Sequence, residues 1–425
     1  MSIERESDLS PNVRARCSRL LTALGALLLA TACGGGGGGD GVDTGGTGGA
    51  PLSYTSGSIN GFGSVIVNGI RFDDDEATVT DDDGQRRSRD DLRLGMSAEV
   101  EGSAIVDGAT GATATARSIR FGSEILGPVE SVDPAAHTVV VLGQSVVADA
   151  STVFDEHLSG GLAALRPGDR VEVYGRYDAA RSRYDARRIE RKGSVDAYRL
   201  RGVVSELDRA ARRFRLGGQP VSYAELPAAD VPADLADGRI VKLRLRTVPV
   251  GGVWIAEGLR DGAPQVEDRD DARIEGRIDA FVSPGQFSVN GLPVDASAAD
   301  FKDGATAALL AVGVEVEIRG PMRDGVLRAD EVKVDDHDDG NSGSGGGGGG
   351  GDDQGEEIEL HGALSELDTA ARSFVLRGVR VGYGGTVEFR DGTAADLANG
   401  RQVEVRGRVS SDGTGVSATR IEFDG

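Results

Sequence analysis

From residue 95 onward the chain repeats one short phrase in which apolar and charged side chains alternate. It reads GMSAEVEG from Gly95, GDRVEVYG from Gly168, GRIVKLRL from Gly238, GVEVEIRG from Gly313 and GRQVEVRG from Gly400. A period of two marks a strand with one buried face and one wet face. Successive phrases start 73, 70, 75 and 87 residues apart. That is too long for a solenoid unit and suits a tandem domain. The spacing predicts five copies, at about 57–121, 122–191, 195–261, 272–336 and 358–425.

Residues 203–216, VVSELDRAARRFRL, and 363–376, ALSELDTAARSFVL, have the composition of a capped amphipathic helix. Aligned on the recurring phrase, the same place holds SVDPAAHTVVV (131–141) and IDAFVSPGQFSV (278–289). Pro134 and Pro284 would break a helix there, whereas Asp-Pro and Pro-Gly are turn chemistry. Copies of one unit share one fold, so the segment is a hairpin in every copy. A third strand follows, as in 219–226 and 292–297. Next comes a short alanine-rich piece, 229–238 or 391–400, with room for two helical turns ended by Gly238 or Gly400. The recurring phrase is the fourth strand, and 252–260, 325–334 or 415–423 supplies the fifth. Three strands, a short helix and two more strands is the order of an OB-like barrel. The expected fold is therefore all-β: a tandem array of five small OB-like β-barrel domains, each with one short helix, joined by Gly-rich linkers.

The hairpin, the Thr152-Val153-Phe154 ending of a third strand, the Leu before a Gly and the Gly-x-x-Val-Glu-Val-x-Gly phrase together resemble the domain-of-unknown-function 5666 family. The resemblance covers nearly all of 57–425. It implies secreted or lipid-anchored bacterial proteins with tandem copies, and it carries no catalytic residues across. The copy at 195–261 departs from it, with Lys242 for the usual Glu and Leu245 for the closing Gly, which predicts a locally different turn.

The first 33 residues differ in kind. Arg14, Arg16 and Arg19 precede the apolar run Leu20–Ala32, which is too short to span a bilayer and reads as an export signal. Its end, LATAC, resembles the bacterial lipoprotein box. That resemblance implies cleavage after residue 32, lipidation of Cys33 and, with Gly34 next, sorting to the outer membrane of a Gram-negative bacterium. The expected organisation is thus a signal peptide at 1–32 and a lipidated cysteine with a glycine-rich tether at 33–56. Four barrels follow, then a Gly/Asp-rich linker at 337–357, then the last barrel. That linker sets the last copy apart, so it is expected to fold without help from its neighbours.

The 425 residues include 65 glycines and only 4% aromatics, which fits many turns and thin cores. Cys17 leaves with the signal and Cys33 takes the lipid, so no thiol remains for catalysis, metal binding or a disulfide. The net charge is −22, and the signal removes four arginines and three acids, leaving about −23. Such a charge opposes nucleic-acid binding, which rests on neutralising phosphate.

Two acidic runs, 72–84 and 335–340, bring oxygen ligands of the kind Ca²⁺ takes. Asp73, Asp74, Asp75, Asp81, Asp82 and Asp83 are the candidates in the first, although neither run fits the EF-hand spacing. The competing reading is a solvated, self-repelling loop. The four histidines, His137, His157, His337 and His361, share no position between copies. Glu99, Glu172, Glu317 and Glu404 do share one, as a ligand contact or as a wet-side residue paired across to Arg or Lys. Trp254, Tyr174, Tyr177, Tyr184, Tyr223 and Tyr383 offer sugar-stacking surfaces, or pack in cores and rims. GFGSVIVNG (61–69) fails the dinucleotide pattern at Ile66. No cofactor is expected.

No nucleophile–base pair recurs, so the expected function is non-enzymatic: a lipid-anchored envelope protein acting as a multi-domain binding or spacer array. The alternative is an envelope receptor for glycan or a divalent cation. Expected partners are the membrane, through the lipid, and an envelope protein or polysaccharide.

Overall fold

A computed structural model describes residues 52–108, 111–334 and 357–424. Cys33, the signal and the acidic run at 335–340 lie outside them. The fold is all-β, and the clearest unit runs from Ile125 to Lys192. Its strands are Ile125–Asp133, Thr138–Val141, Gln144–Phe154, Arg170–Asp178 and Arg183–Lys192. The first pairs antiparallel with the second and the second with the third. The third runs parallel to the fifth, the fifth antiparallel to the fourth, and the fourth closes back onto the first. This circuit makes a small closed barrel. The same pairings recur over 53–122, 198–261, 269–334 and 358–423.

The suspect segments are hairpins. Tyr198–Asp208 pairs antiparallel with Arg213–Leu216, and Ile358–Asp368 with Ser373–Leu376. The local chemistry is visible in the turns. The Asp208 carboxylate accepts from the Ala210 and Ala211 amides at 2.9 and 2.8 Å, and Asp368 does the same for Ala370 and Ala371 at 2.9 Å each. Asp133 repeats the pattern before Pro134. Each carboxylate thus caps a turn whose two amides would otherwise be left without acceptors.

The expected short helix is not formed. Among the described residues the only helical pieces are six 3₁₀ turns of three or four residues, such as Ala228–Asp230 and Ala394–Asp396. After four of the six turns the chain straightens and drops a leucine into the barrel: Leu92, Leu165, Leu310 and Leu397. In the 198–261 barrel Leu235, a few residues past its turn, does the same, and all five are buried. Seating that plug in the barrel mouth leaves no length for a second turn. The 198–261 barrel keeps the fourth-strand bulge of its relatives, between Arg244 and Leu245, without a glycine. Its difference lies in the loop beyond, where Val250 and Val253 form an isolated bridge.

Neighbouring barrels pair strands across their junctions. Ser53–Phe62 runs parallel to Arg269–Ser283 at its start, Ser53 opposite Asp271, and parallel to Ile358–Asp368 at its end, Phe62 opposite Leu360. Ile125–Asp133 pairs antiparallel with Tyr198–Asp208. The cores interlock as well. Tyr54 packs into the 269–334 core, Tyr174 into the 53–122 core, and Leu94 and Val153 into the 358–423 core. The barrels cluster as one compact unit. The expectation that the last copy gains nothing from the others is corrected by these contacts. A glycine-rich linker sets how far a domain can reach, but complementary strand edges and apolar surface decide where it stops.

Candidate functional site

The acidic candidates of the 72–84 run are drawn to different partners within the protein. Asp74 lies 3.0 Å from Arg89 Nε and Asp75 2.6 Å from Arg89 Nη1. Asp81 accepts from Arg87 Nε at 2.8 Å and from the amides of Asp83 and Gln85 at 2.9 and 3.0 Å. Burial works against charge on Asp81, yet those amides and Arg87 hold its carboxyl below the usual range. For Asp74 burial wins over Arg89 and the carboxyl is pushed up. Asp82 pairs with Lys242 and Asp83 with Arg199, both from the 198–261 barrel. Asp73 accepts from the Asp75 amide. Among the described residues no three His, Cys, Asp or Glu side chains gather as a metal site would require.

The recurring fourth-strand glutamates are likewise engaged within the protein. Glu99 pairs with Arg120 directly across the sheet, and Glu317 with Lys333 at 3.4 Å. Glu172 holds Lys192 at 2.8 Å and accepts from Ser123 Oγ at 2.8 Å, while Glu404 holds Arg406 at 3.1 Å on its own strand. The aromatic candidates pack on one another: Trp254 edge-on to Tyr198 at 5.8 Å, Tyr177 on Tyr184 at 4.9 Å, Tyr223 on Phe214 and Tyr383 on Phe374. Of the histidines, His361 Nε2 meets Asp424 at 2.7 Å, His157 stands exposed beside Glu156, and His137 occupies a turn at positive φ.

What the sequence did not disclose is a buried charge cluster between the 125–192 and 269–334 barrels. Arg176, Arg187 and Arg277 converge on Glu315, with Asp185 and Glu275 completing three positive and three negative groups. Arg187 Nη2 is 3.3 Å from Glu315, and Arg277 Nη2 is 3.0 Å from Asp185. Glu315 is 3% exposed, and burial pushes the Asp185 carboxyl up despite Arg277. Arg201 makes a second junction. It meets Glu124 at 3.0 Å and donates to the carbonyls of Asn290 and Gly262. The available signal was the strand RYDARRIERK (183–192), charged at both alternating sets of positions and so unable to present one wet face.

Three barrels, 53–122, 125–192 and 358–423, enclose a cleft of about 990 Å³. Its floor is apolar, from Leu92, Leu94, Val153 and Phe154, all buried. The backbone knits the floor together: the Phe154 amide donates to the Gly413 carbonyl at 2.7 Å. Arg377 crosses the mouth, donating to the carbonyls of Gly63 at 3.1 Å and His361 at 3.2 Å. Arg93, Arg380, Asp90 and Glu366 stand exposed on the walls. Glu366 sits at φ 50°, and Glu206 in the matching hairpin at φ 51°, so this bend belongs to the hairpin rather than to the cleft. A smaller cavity of about 320 Å³ lies beside Tyr174, Lys192 and Arg199.

Comparison with known proteins returns one family. The model of "Domain of unknown function (DUF5666)" matches at 56–116, 127–190, 275–333 and 361–422. The barrel at 198–261 falls between the matched stretches. No curated protein matches. Among solved structures, Drosophila Unr CSD456 aligns at 15% identity over 55% of this chain and 99% of its own, with a TM-score of 0.12. An overlay that poor bears on neither fold nor ligand.

Proposed function

The chain belongs to the DUF5666 family, a domain of unknown function, and on that footing we propose that it is a non-enzymatic binding body of the cell envelope. In this reading five OB-like units are carried on a lipid at Cys33 in an outer membrane, and they meet an envelope protein or polysaccharide. The observation that carries the reading is the composite cleft, to which three barrels each contribute wall or floor. Barrels that pair strands and interlock cores have short reach, which favours binding over spacing. Support for a cation ligand is thinner, because Asp74, Asp75, Asp81, Asp82 and Asp83 already face arginine or lysine.

The test is retention of native envelope material by the full chain against a variant with the cleft filled. Ser159, exposed on the rim, accepts Ser159→Trp without touching a core. Loss of the retained envelope component in Ser159→Trp, with the melting temperature unchanged, supports the reading. Equal retention by both proteins sinks it.

A further inference from the structure

We infer that the cleft takes an uncharged, polyhydroxylated chain, a neutral glycan, and this rests on the cleft being the binding surface. The argument starts from charges that are left uncompensated. Arg93 donates to the carbonyls of Asp90 and Leu92, and neither Arg93 nor Arg380 has a carboxylate partner among the described residues. On the same walls the Asp90 and Glu366 carboxylates face no cation among the described residues. Arg89 and Arg188 are matched by Asp74 and Glu190, but Arg377 bonds carbonyl oxygens and is in no ion pair among the described residues. The lining carboxylates of Asp155, Glu156 and Asp412 face no arginine or lysine among the described residues either.

A polyanion entering here would answer the three guanidinium groups of Arg93, Arg377 and Arg380 and be repelled by the unpaired carboxylates on the same walls. A polycation would meet the reverse. A hydroxyl group both donates and accepts, so one type of ligand group satisfies carboxylates and guanidinium groups alike. The C–H faces of sugar rings then have a small apolar patch on the floor to lie on, where Leu92, Leu94, Val153 and Phe154 each keep under a tenth of their surface open, and burying that surface is favourable. The volume is at the upper end of the roughly 300–1,000 Å³ found for small-ligand sites, which suits several linked rings rather than one. Binding of this kind keeps its strength in salt, because no net charge is neutralised.

The experiment is a glycan array followed by calorimetry on the full chain in detergent. The probes are neutral hexasaccharides (glucan, mannan and galactan), an oligogalacturonate and a chitosan oligomer, each at low and high salt. The expected result is saturable binding of a neutral probe that survives high salt. Arg380→Ala and Glu366→Ala should each weaken it by about tenfold, the order expected for a lost hydrogen bond to a charged group. Arg117→Ala, on an exposed strand away from the cleft, should not change it. Tighter, salt-sensitive binding of the charged probes that Arg380→Ala abolishes overturns the neutral-ligand inference and leaves the binding surface standing. Binding by none of the neutral probes overturns it too, and retention of envelope material by the unfilled cleft then decides separately whether the surface binds at all.

Discussion

Lys242 of the 198–261 barrel is ion-paired with Asp82 of the 53–122 barrel. At the place of Lys242 in the recurring phrase, four other copies carry glutamate: Glu99, Glu172, Glu317 and Glu404. The departure therefore has a structural reason. A glutamate there would face Asp82 across a junction where both side chains are mostly buried, and like charges at such a place repel strongly. Lys242→Glu is expected to destabilise the whole protein by about 3 kcal/mol or more, the scale for leaving a buried charge without its partner. Thermal denaturation measures the loss, and the charge swap Lys242→Glu with Asp82→Lys should recover most of it. If the swap recovers nothing, the pair does not hold the junction.

The hairpin turns give a second expectation. Asp208 caps the amides of Ala210 and Ala211, so Asp208→Ala should cost about 1 kcal/mol, the usual scale for a lost carboxylate cap. The far-ultraviolet circular dichroism should stay that of strand. A rise in helical signal in the variant would mean that RAARR was held out of a helix only by this cap.

These two cases show what the sequence exposes and what it hides. Alternation in VEVRG and its relatives is a local property, and Pro134 and Pro284 are local vetoes on helix, so barrels and hairpins were legible. Leu235 and Leu397 were legible as residues but not as plugs, because an alanine-rich stretch before a glycine looks alike whether it makes two turns or one. Long-range partners left no local trace. Asp82 reads as one acid in a run until Lys242, distant in sequence, is brought beside it. Arg187 and Glu315 read as wet-side residues until two barrels close over them. The cleft could not be read at all, since its floor and walls come from three barrels that sequence spacing alone keeps apart.

Two junctions should respond to pH in opposite directions. Hydrogen bonds from Arg273, then Arg319, hold the Asp107 carboxyl below its ordinary 3.8. A depressed folded value means that stability is present above 3.8 and is lost as the pH falls through the folded value. Acid should thus loosen the 53–122 barrel from the 269–334 barrel. Glu359 is pushed above its ordinary 4.5 by burial, against Arg71 and Arg406. Its contribution is favourable below 4.5 and fades as the pH rises through the raised value, so this contact is tightest in mild acid. Small-angle scattering across an acid titration measures the first effect, which Asp107→Asn should flatten. An unchanged titration in Asp107→Asn would remove that carboxylate from the account.

The anchor expectation at Cys33 stands on sequence alone. Cys33→Ala should move the protein from the membrane fraction to the soluble fraction and abolish incorporation of labelled lipid. Continued labelling of Cys33→Ala would show that the lipid is elsewhere.

The last expectation concerns the barrel at 358–423, which the glycine-rich sequence of 337–357 sets apart and the contacts tie down. Gly61 runs against Ile358–Asp368 so closely that a Cβ there would lie 2.4 Å from the Glu359 carbonyl oxygen. The barrel also draws Leu94 and Val153, from two other barrels, into its core. Burying a Leu or Val side chain contributes about 1.5–3 kcal/mol, and those contacts are lost when the barrel is cut out. For a domain of this size each kcal/mol lowers the melting temperature by about 4–8 °C. Protease should cut first within 337–357, yet the fragment beginning near Ile358 should melt well below the same barrel in the intact chain. Gly61→Val should also lower the melting of this barrel without any cut, because the added side chain meets the Glu359 carbonyl across the junction, although it presses on Ile66 of its own barrel as well. Equal melting of the excised and intact barrel would mean that the docking adds no stability, and the cleft between the three barrels would then have no fixed third wall.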